Sequence, residues 1–177
     1  MTKPVTLEKA KARLGIRSDH RDAEIQGLID AAIEHVEKAA HYYLEQRDQV
    51  EALDCLVGAV DLKAWPVSAV GDITYLDEDD QDATIANARL IATRKPAYLL
   101  PAADESWPGD VAHKLAVTLT VGHTGAEDDP FPAPLVQAIL LLVSHWFENQ
   151  EAVVVGTSAV ELPLGVESLV HQFRTVI

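Results

Sequence analysis

The residues best suited to catalysis or metal binding are scattered along the chain. His145 and Glu148 have the i, i+3 spacing that helical di-iron sites use. Such sites need a second His/Glu pair with helical spacing, and no Glu-x-x-His pair occurs elsewhere in the sequence. We therefore interpret His145 as a helix-surface or subunit-contact residue. A metal-dependent enzyme that uses His145 and Glu148 is kept as the alternative of a different class.

The densest acidic run, Asp77–Asp82, raises the question of a calcium loop. Its first and third residues are aspartates, as such a loop requires. However, the sixth position, normally glycine, is Asp82, and the twelfth, normally glutamate, is Ala88. The run is better interpreted as a solvated hairpin tip, and the acids at Glu127–Asp129 as a hydrophilic loop.

Nucleophilic chemistry finds equally little support. The sequence holds no Gly-rich phosphate-binding loop and no Gly-x-Ser-x-Gly motif. Ser144 and His145 are adjacent in the predicted C-terminal helix, and successive helical residues do not face each other, so this adjacency is not a nucleophile–base arrangement. The single cysteine, Cys55, has no basic residue nearby in sequence to favour the thiolate, so we expect a buried or inert thiol. We predict no catalytic residues, no metal and no cofactor.

Composition narrows the class of protein further. The 177 residues are 48% hydrophobic and 24% charged, which is typical of a folded globular chain. The net charge of −14 argues against electrostatic binding of nucleic acid or anionic lipid. The longest apolar runs, such as Ala138–Val143, are far shorter than the roughly 20 residues of a membrane span. Met1–Leu14 lacks the apolar core of a signal peptide, so we expect a soluble intracellular product.

Hydrophobic periodicity divides the chain into helical, strand-rich and again helical thirds. Thr6 can cap the first helix and Gly15 can end it. We predict an α+β fold, predominantly α-helical, as a single domain over residues 1–177. The predicted helices span about 6–14, 22–44, 132–149 and 166–174, on either side of a strand-rich insert at about 50–122.

The insert predicts a small, mostly antiparallel β-sheet. Ile73–Leu76 and Lys114–Val121 alternate in polarity and are rich in β-branched or aromatic residues, with a hairpin turn at Asp77–Asp82. Shorter candidate strands lie near Val57–Lys63, Ala83–Ile85, Ala88–Thr93 and Ala97–Leu100.

Several segments, taken in order, resemble one known family. The first part of the resemblance lies in three places: the opening Thr6–Leu14 with Asp22–Glu37, the block from Trp65-Pro-Val through Tyr75-Leu-Asp77, and the predicted strand Val117–Gly122. The second part of the resemblance lies in the C-terminal third, at Pro134, Ala138–Leu142, His145–Asn149, and Glu161–Val166 with Leu169 and Arg174. Together they resemble the head–tail connector (adaptor, or head-completion) proteins of tailed phages.

The resemblance implies a structural virion protein without catalytic residues or cofactors. Connectors of this family form a ring of about twelve subunits beneath the portal, join capsid to tail and surround the DNA exit channel. The implied partners are other copies of the chain, the portal protein, and a stopper or tail-completion protein, with DNA only as cargo and no membrane. The implied location is the virion neck (the head–tail junction) in the assembled particle and the host bacterial cytoplasm before assembly. A phage, prophage or gene-transfer particle would be the source, and another neck or tail-completion protein is the alternative.

The predicted interface lies in the C-terminal third. The helix Pro134–Asn149 is apolar nearly all round, which is typical of a core helix or a subunit contact. The loop Glu151–Glu161 and the tail Leu162–Ile177 are more apolar than a turn requires. We predict contacts with neighbouring subunits or portal at Leu142, Trp146, Val153, Val154, Val155, Leu162, Leu164, Phe173 and Arg174.

Overall fold

The computed structural model describes residues 2–109, 113–149 and 164–174. It divides into two compact units: a helical unit, Met1–Leu44 with Thr124–Ile177, and a sheet unit, Glu45–His123. That one connector domain covers residues 1–177 stays a prediction. Within the described residues, no helix is both long and apolar enough to cross a membrane.

The first helix is defined by the two caps that the sequence predicts. Helix α1 spans Leu7–Leu14, and the Thr6 hydroxyl accepts a hydrogen bond from the Lys9 N–H at 3.3 Å. Gly15 ends the helix in the left-handed conformation, with φ at 70°. A hydroxyl cap and a left-handed glycine satisfy backbone groups that a helix end otherwise leaves unbonded.

The second helix is shorter than its apolar pattern predicts. Helix α2 spans Asp22–Ala40, not the expected 22–44. His41 adopts a left-handed conformation with φ at 48°, which turns the backbone out of the helix. The Glu37 carboxylate then accepts a hydrogen bond from the Leu44 N–H at 2.6 Å and stabilises the turn. Tyr42 and Leu44 are still buried, so their apolar character reflects burial and not helix.

The two later helices complete the helical unit. Helix α3 spans Ala133–Glu148 and begins after Pro132, with a second proline in its first turn. Helix α4 spans Leu164–His171, starting and ending earlier than the predicted 166–174. Seven of the 16 residues of α3 are buried and all seven are apolar, so its apolar residues largely serve the core of this unit. Its buried residues are Leu135, Val136, Ala138, Ile139, Leu140, Leu142 and Val143.

The sheet unit holds two antiparallel sheets where one was predicted. Strands β1, β7, β3 and β4 form a four-stranded sheet in that order, and β2, β6 and β5 form a three-stranded one. The strands are β1 Arg47–Ala52, β2 Val60–Asp61, β3 Val67–Leu76, β4 Asp82–Ile85, β5 Arg89–Ile91, β6 Tyr98–Leu100 and β7 His113–Val121.

The fold is α+β as predicted, but the expected predominance of helix is not confirmed. Of the residues that the structure describes, 32% are helical and 26% lie in strands or bridges. Strand β1 explains part of the difference, because its half-buried positions carry Arg47, Gln49 and Glu51 and show no apolar alternation. The buried side chains of the larger sheet come from β3 and β7, where Ile73 pairs with Val117.

A glycine allows a close backbone approach beside the larger sheet. Gly122 has φ at 84°, and its N–H donates to the Pro66 carbonyl at 3.1 Å. A Cβ at this position would lie 2.2 Å from the Glu45 carbonyl oxygen. Only glycine fits both the left-handed conformation and the contact.

Candidate functional site

His145 and Glu148 do not form part of a metal site in the described structure. The Asn149 side-chain amide donates to the His145 carbonyl at 2.8 Å and lies 3.3 Å from its Nδ1. Among the described residues, no group of three or more His, Cys, Asp or Glu side chains could hold a metal ion. His145 is instead part of the hydrogen-bonded C-terminal end of α3.

The acidic run forms the predicted hairpin turn between β3 and β4. One Asp77 carboxylate oxygen accepts hydrogen bonds from the Asp79 and Gln81 N–H groups, both at 2.9 Å. The Asp77 N–H donates to the Gln81 carbonyl at 3.0 Å, which closes the turn. A carboxylate bonded to its own turn in this way orders the loop.

The second acidic loop is built in a similar way. The Asp129 carboxylate accepts hydrogen bonds from the Thr124 N–H at 2.7 Å and from its hydroxyl at 3.1 Å. Glu127 and Asp128 are exposed. This agrees with the prediction of a hydrophilic loop.

Cys55 is exposed, so of the two expected alternatives the buried thiol is wrong and the inert thiol stays a prediction. It lies in the loop between β1 and β2, beside a cavity of about 190 Å³. That cavity is lined by residues 51–55, 57, 59–61 and 63 of the sheet unit. The Glu51 carboxylate there accepts hydrogen bonds from the Lys63 and Ala64 N–H groups at 2.8 and 2.9 Å, so it is occupied in holding this loop.

Trp146 is half-buried and packs against α2. Its ring meets the His35 imidazole edge to face, with centroids 6.1 Å apart. The neighbouring Phe147 ring carries the Arg21 guanidinium over its face at 4.0 Å, and Arg21 also pairs with Glu24 at 2.7 Å. These contacts combine aromatic packing with a cation–π interaction near the C-terminal end of α3.

Phe173 and Arg174 dock the end of the chain's last described segment onto the end of α2. Phe173 packs edge to face on Tyr42 with centroids 5.4 Å apart. The Arg174 Nε donates to the Ala39 carbonyl at 2.9 Å, a carbonyl at the end of α2. Burial, and secondarily the nearby Asp129 carboxylate, raise the pKa of Tyr42 to about 12.

The remaining predicted interface residues divide into three groups. Leu142 is fully buried within the helical unit, so it has no surface to offer a partner in this conformation. Leu164 is the first residue of α4. Val153, Val154, Val155 and Leu162 lie outside the described residues.

Sequence reasoning missed His35, Arg21 and Tyr42 as the partners of the predicted C-terminal residues. The sequence does show that His35 and Tyr42 are rings with a polar group next to apolar positions of α2 or its end, which marks them as packing residues but does not identify their partners. Pairing them with Trp146 and Phe173 requires the tertiary arrangement, because more than 100 residues separate the members of each pair.

Comparison with known proteins gives a consistent class for this arrangement. Residues 4–68 match the family described as phage gp6-like head-tail connector proteins. The sequence-based resemblance to head–tail connectors is thereby confirmed. No curated protein matches the chain.

Three solved structures share the fold over nearly the whole chain. A chain in the neck of an empty gene transfer agent particle, computed with C6 symmetry, is 22% identical with a TM-score of 0.75, covering 98% of this chain and 91% of that one. A chain in the virion of a native gene transfer agent particle is 20% identical with a TM-score of 0.73, at 100% and 94% coverage. A chain in the neck of the native particle, computed with C12 symmetry, is 24% identical with a TM-score of 0.67, at 94% and 88%.

Proposed function

We propose that this protein is a structural component of the neck of a phage-like particle. In this role it forms an adaptor ring beneath the portal, joins capsid to tail and surrounds the channel through which DNA leaves. The observation that carries the proposal is the shared fold with gene transfer agent neck chains over 98% of this chain and 91% of the matching one. The head–tail connector match over residues 4–68 supports it independently.

A ring is supported by the symmetry of the similar structures. Those necks were computed with C6 and C12 symmetry, which relate repeated copies around a central axis. In a closed ring, one surface of each subunit binds a different surface of the next. The chain is therefore expected to carry two complementary patches.

The proposed contacts with neighbouring subunits or portal lie at the C-terminal end of the helical unit. Trp146 and Phe173 are half-buried aromatic rings, and each leaves part of its surface uncovered. Large aromatic side chains and arginine are enriched at protein interfaces, and exposed Arg174 adds a charged neighbour to Phe173. The segments Glu151–Glu161 and Leu162–Ile177 are proposed to take part in contacts with neighbouring subunits or portal, because their sequences are more apolar than a turn requires.

The proposal is tested by light scattering coupled to size-exclusion chromatography. The full chain is measured alone and then with the portal protein from the same gene cluster. A ring-sized mass alone, or a joint peak with the portal, supports the adaptor function. A chain that stays monomeric and does not bind the portal would contradict the adaptor function and favour a tail-completion protein. The tail-tube protein of the same gene cluster would then be the next partner to test.

A further inference from the structure

The basic residues of this acidic chain are concentrated at its start. Six of the 14 lysine and arginine residues lie within the first 21 positions, where only Glu8 and Asp19 are acidic. This segment is therefore positive in a chain of net charge −14. The six are Lys3, Lys9, Lys11, Arg13, Arg17 and Arg21.

Half of these cations are neutralised within the helical unit. Lys3 pairs with Asp30. Lys11 lies 2.6 Å from Asp19 and 2.7 Å from Asp22, and these two carboxylates raise the pKa of Lys11. Arg21 pairs with Glu24. The other three, Lys9, Arg13 and Arg17, are exposed and take part in none of the ion pairs found among the described residues.

Local geometry presents these three cations along one short segment, here named the basic stripe. Lys9 and Arg13 are four residues apart in α1 and so share one face of the helix. The Gly15 N–H donates to the Ala12 carbonyl, and the Ile16 N–H to the Lys11 carbonyl at 3.0 Å. These bonds define how the chain leaves the helix, and Arg17 follows directly.

The sheet unit presents a matching set of anions. Glu78, Asp79 and Asp82, here named the acidic tip, are exposed on the β3–β4 hairpin. The Asp77 carboxylate holds this turn through two backbone N–H groups. An ordered turn presents its charges at little further entropic cost.

A second copy of the chain is the partner that these charges favour. Copies of net charge −14 repel one another wherever acidic surfaces meet, and pairing a positive patch with a negative one replaces that repulsion by attraction. A ring needs two different complementary surfaces on each subunit. Three cations on a strongly acidic chain suit a duplex poorly, because DNA-binding proteins use many phosphate contacts to overcome such repulsion.

The other run of basic residues is engaged locally. The Arg89 Nε donates to the Pro101 carbonyl at 2.9 Å. The Arg94 guanidinium lies over the Tyr98 ring at 4.7 Å. The basic stripe is therefore the better candidate for a contact between chains.

We propose that neighbouring copies in the ring associate head to tail, with the basic stripe of one on the acidic tip of the next. The inference rests on the proposed ring function and adds the charge-paired surface that sets its register. Exposed ion pairs contribute little stability individually, so their effect is expected on association rate, salt dependence and choice of partner surface.

Two charge-reversed variants of the full chain test the contact. The stripe variant carries Lys9→Glu, Arg13→Glu and Arg17→Glu, and the tip variant carries Glu78→Lys, Asp79→Lys and Asp82→Lys. Each places like charges at every junction, so we expect the ring fraction of each variant alone to fall about tenfold or more. In a 1:1 mixture, each stripe again meets an oppositely charged tip, and alternating rings should form.

A matched control separates the contact from the change in net charge. The substitutions Lys38→Glu, Lys63→Glu and Lys114→Glu alter the charge by the same amount as the stripe variant, at three other exposed positions. Circular dichroism checks that every variant is folded. Light scattering then measures ring mass, alone and on the portal, at low and high salt.

The outcomes distinguish this inference from the proposed function. Loss of rings in both variants, with recovery in the mixture and an unaffected control, supports the charge-paired contact. Rings that form equally well in all variants would overturn the contact while leaving the adaptor function intact. Absence of any ring in the wild-type chain, alone or on portal, would overturn both. Loss without recovery in the mixture, together with stripe-dependent binding of a 30-base-pair duplex, would assign the stripe to nucleic acid instead.

Discussion

The indole ring of Trp146 meets the imidazole of His35 edge to face, with ring centroids 6.1 Å apart and planes at 87°. The contact joins α3 to α2 within the helical unit. The His35 Nε2 is buried there and has no hydrogen-bond partner among the described residues. Packing therefore accounts for this contact better than polar bonding does, and part of the indole stays uncovered.

Substitution Trp146→Ala is expected to reduce ring formation more than it reduces the stability of the monomer. The half-buried ring and its aromatic contact contribute on the order of 1–2 kcal/mol within the chain, whereas truncating an interface tryptophan often costs more than that at each junction. Light scattering gives the ring fraction and urea unfolding gives the free energy of unfolding. Trp146→Phe is the control that keeps an aromatic ring. Unfolding of the monomer by Trp146→Ala would show that the residue belongs to the core.

Substitution Phe173→Ala is expected to loosen α4 from the end of α2. The edge-to-face contact with Tyr42 is lost, at a cost of about 1–2 kcal/mol, while the Arg174 bond to the Ala39 carbonyl remains. Hydrogen exchange over residues 164–174 should therefore speed up relative to α3. Phe173→Leu retains apolar contact and should have a smaller effect. Unchanged exchange in both variants would mean that Val166 and Val170, which are buried, hold α4 alone.

Tyr42 makes the stability of the chain depend on alkaline pH. Its pKa is about 12 in the folded chain against an ordinary value of 10.0, because burial disfavours the phenolate. The unfolded chain thus loses this proton first, and the stabilising effect present below pH 10 is lost as pH rises through 12. The loss reaches about 2–3 kcal/mol. The free energy of unfolding in urea, measured for wild type and Tyr42→Phe between pH 9 and 12, isolates this contribution. If the free energy of unfolding changed with pH in the same way in both proteins, the raised pKa of Tyr42 would be contradicted.

Substitution Gly122→Ala is expected to destabilise the sheet unit strongly. The new Cβ would meet the Glu45 carbonyl oxygen at 2.2 Å, and φ at 84° is strained for any residue with a side chain. We expect a loss of about 2–4 kcal/mol, measured by thermal unfolding. The matched control is Gly27→Ala in α2, where a Cβ meets nothing within 4 Å. That substitution should stabilise the chain by about 0.5–1 kcal/mol. Equal effects at both positions would show that the backbone relaxes at Gly122.

The amino-acid sequence was sufficient to predict much of the helical unit. The Thr6 and Gly15 caps of α1 follow from local signals, because a cap satisfies backbone groups within a few residues. The start of α2 at Asp22 follows from the onset of its apolar period and from the acidic residues of its first turn, since Arg21 provides no side-chain cap. The left-handed turn at His41 could not be predicted in this way. The apolar period continues through Leu44, and only the packing of Tyr42 shows that this stretch serves the core outside a helix.

The sheet unit shows the opposite balance. Strands β3 and β7 carry a clear alternation, and the hairpin at Asp77–Asp82 has turn chemistry that the sequence displays. Strand β1 has no such signal, since its partner β7 supplies the buried residues and β1 contributes Gln49 opposite Leu119. The division into two sheets also depends on which strands pair, and pairing is a long-range property.

The starts of α1, α2 and α3, the principal strands, the solvated acidic loops and the resemblance to head–tail connectors could all be predicted from the sequence, whereas α4 begins earlier than predicted. Only the tertiary structure decided that Leu142 is buried, that Cys55 is exposed, and that Phe173 and Arg174 dock on α2. It also showed which cations of the first 21 residues are paired and which are exposed. The physical reason is range: caps and turns depend on neighbours in sequence, whereas burial and ion pairing depend on residues that folding brings together.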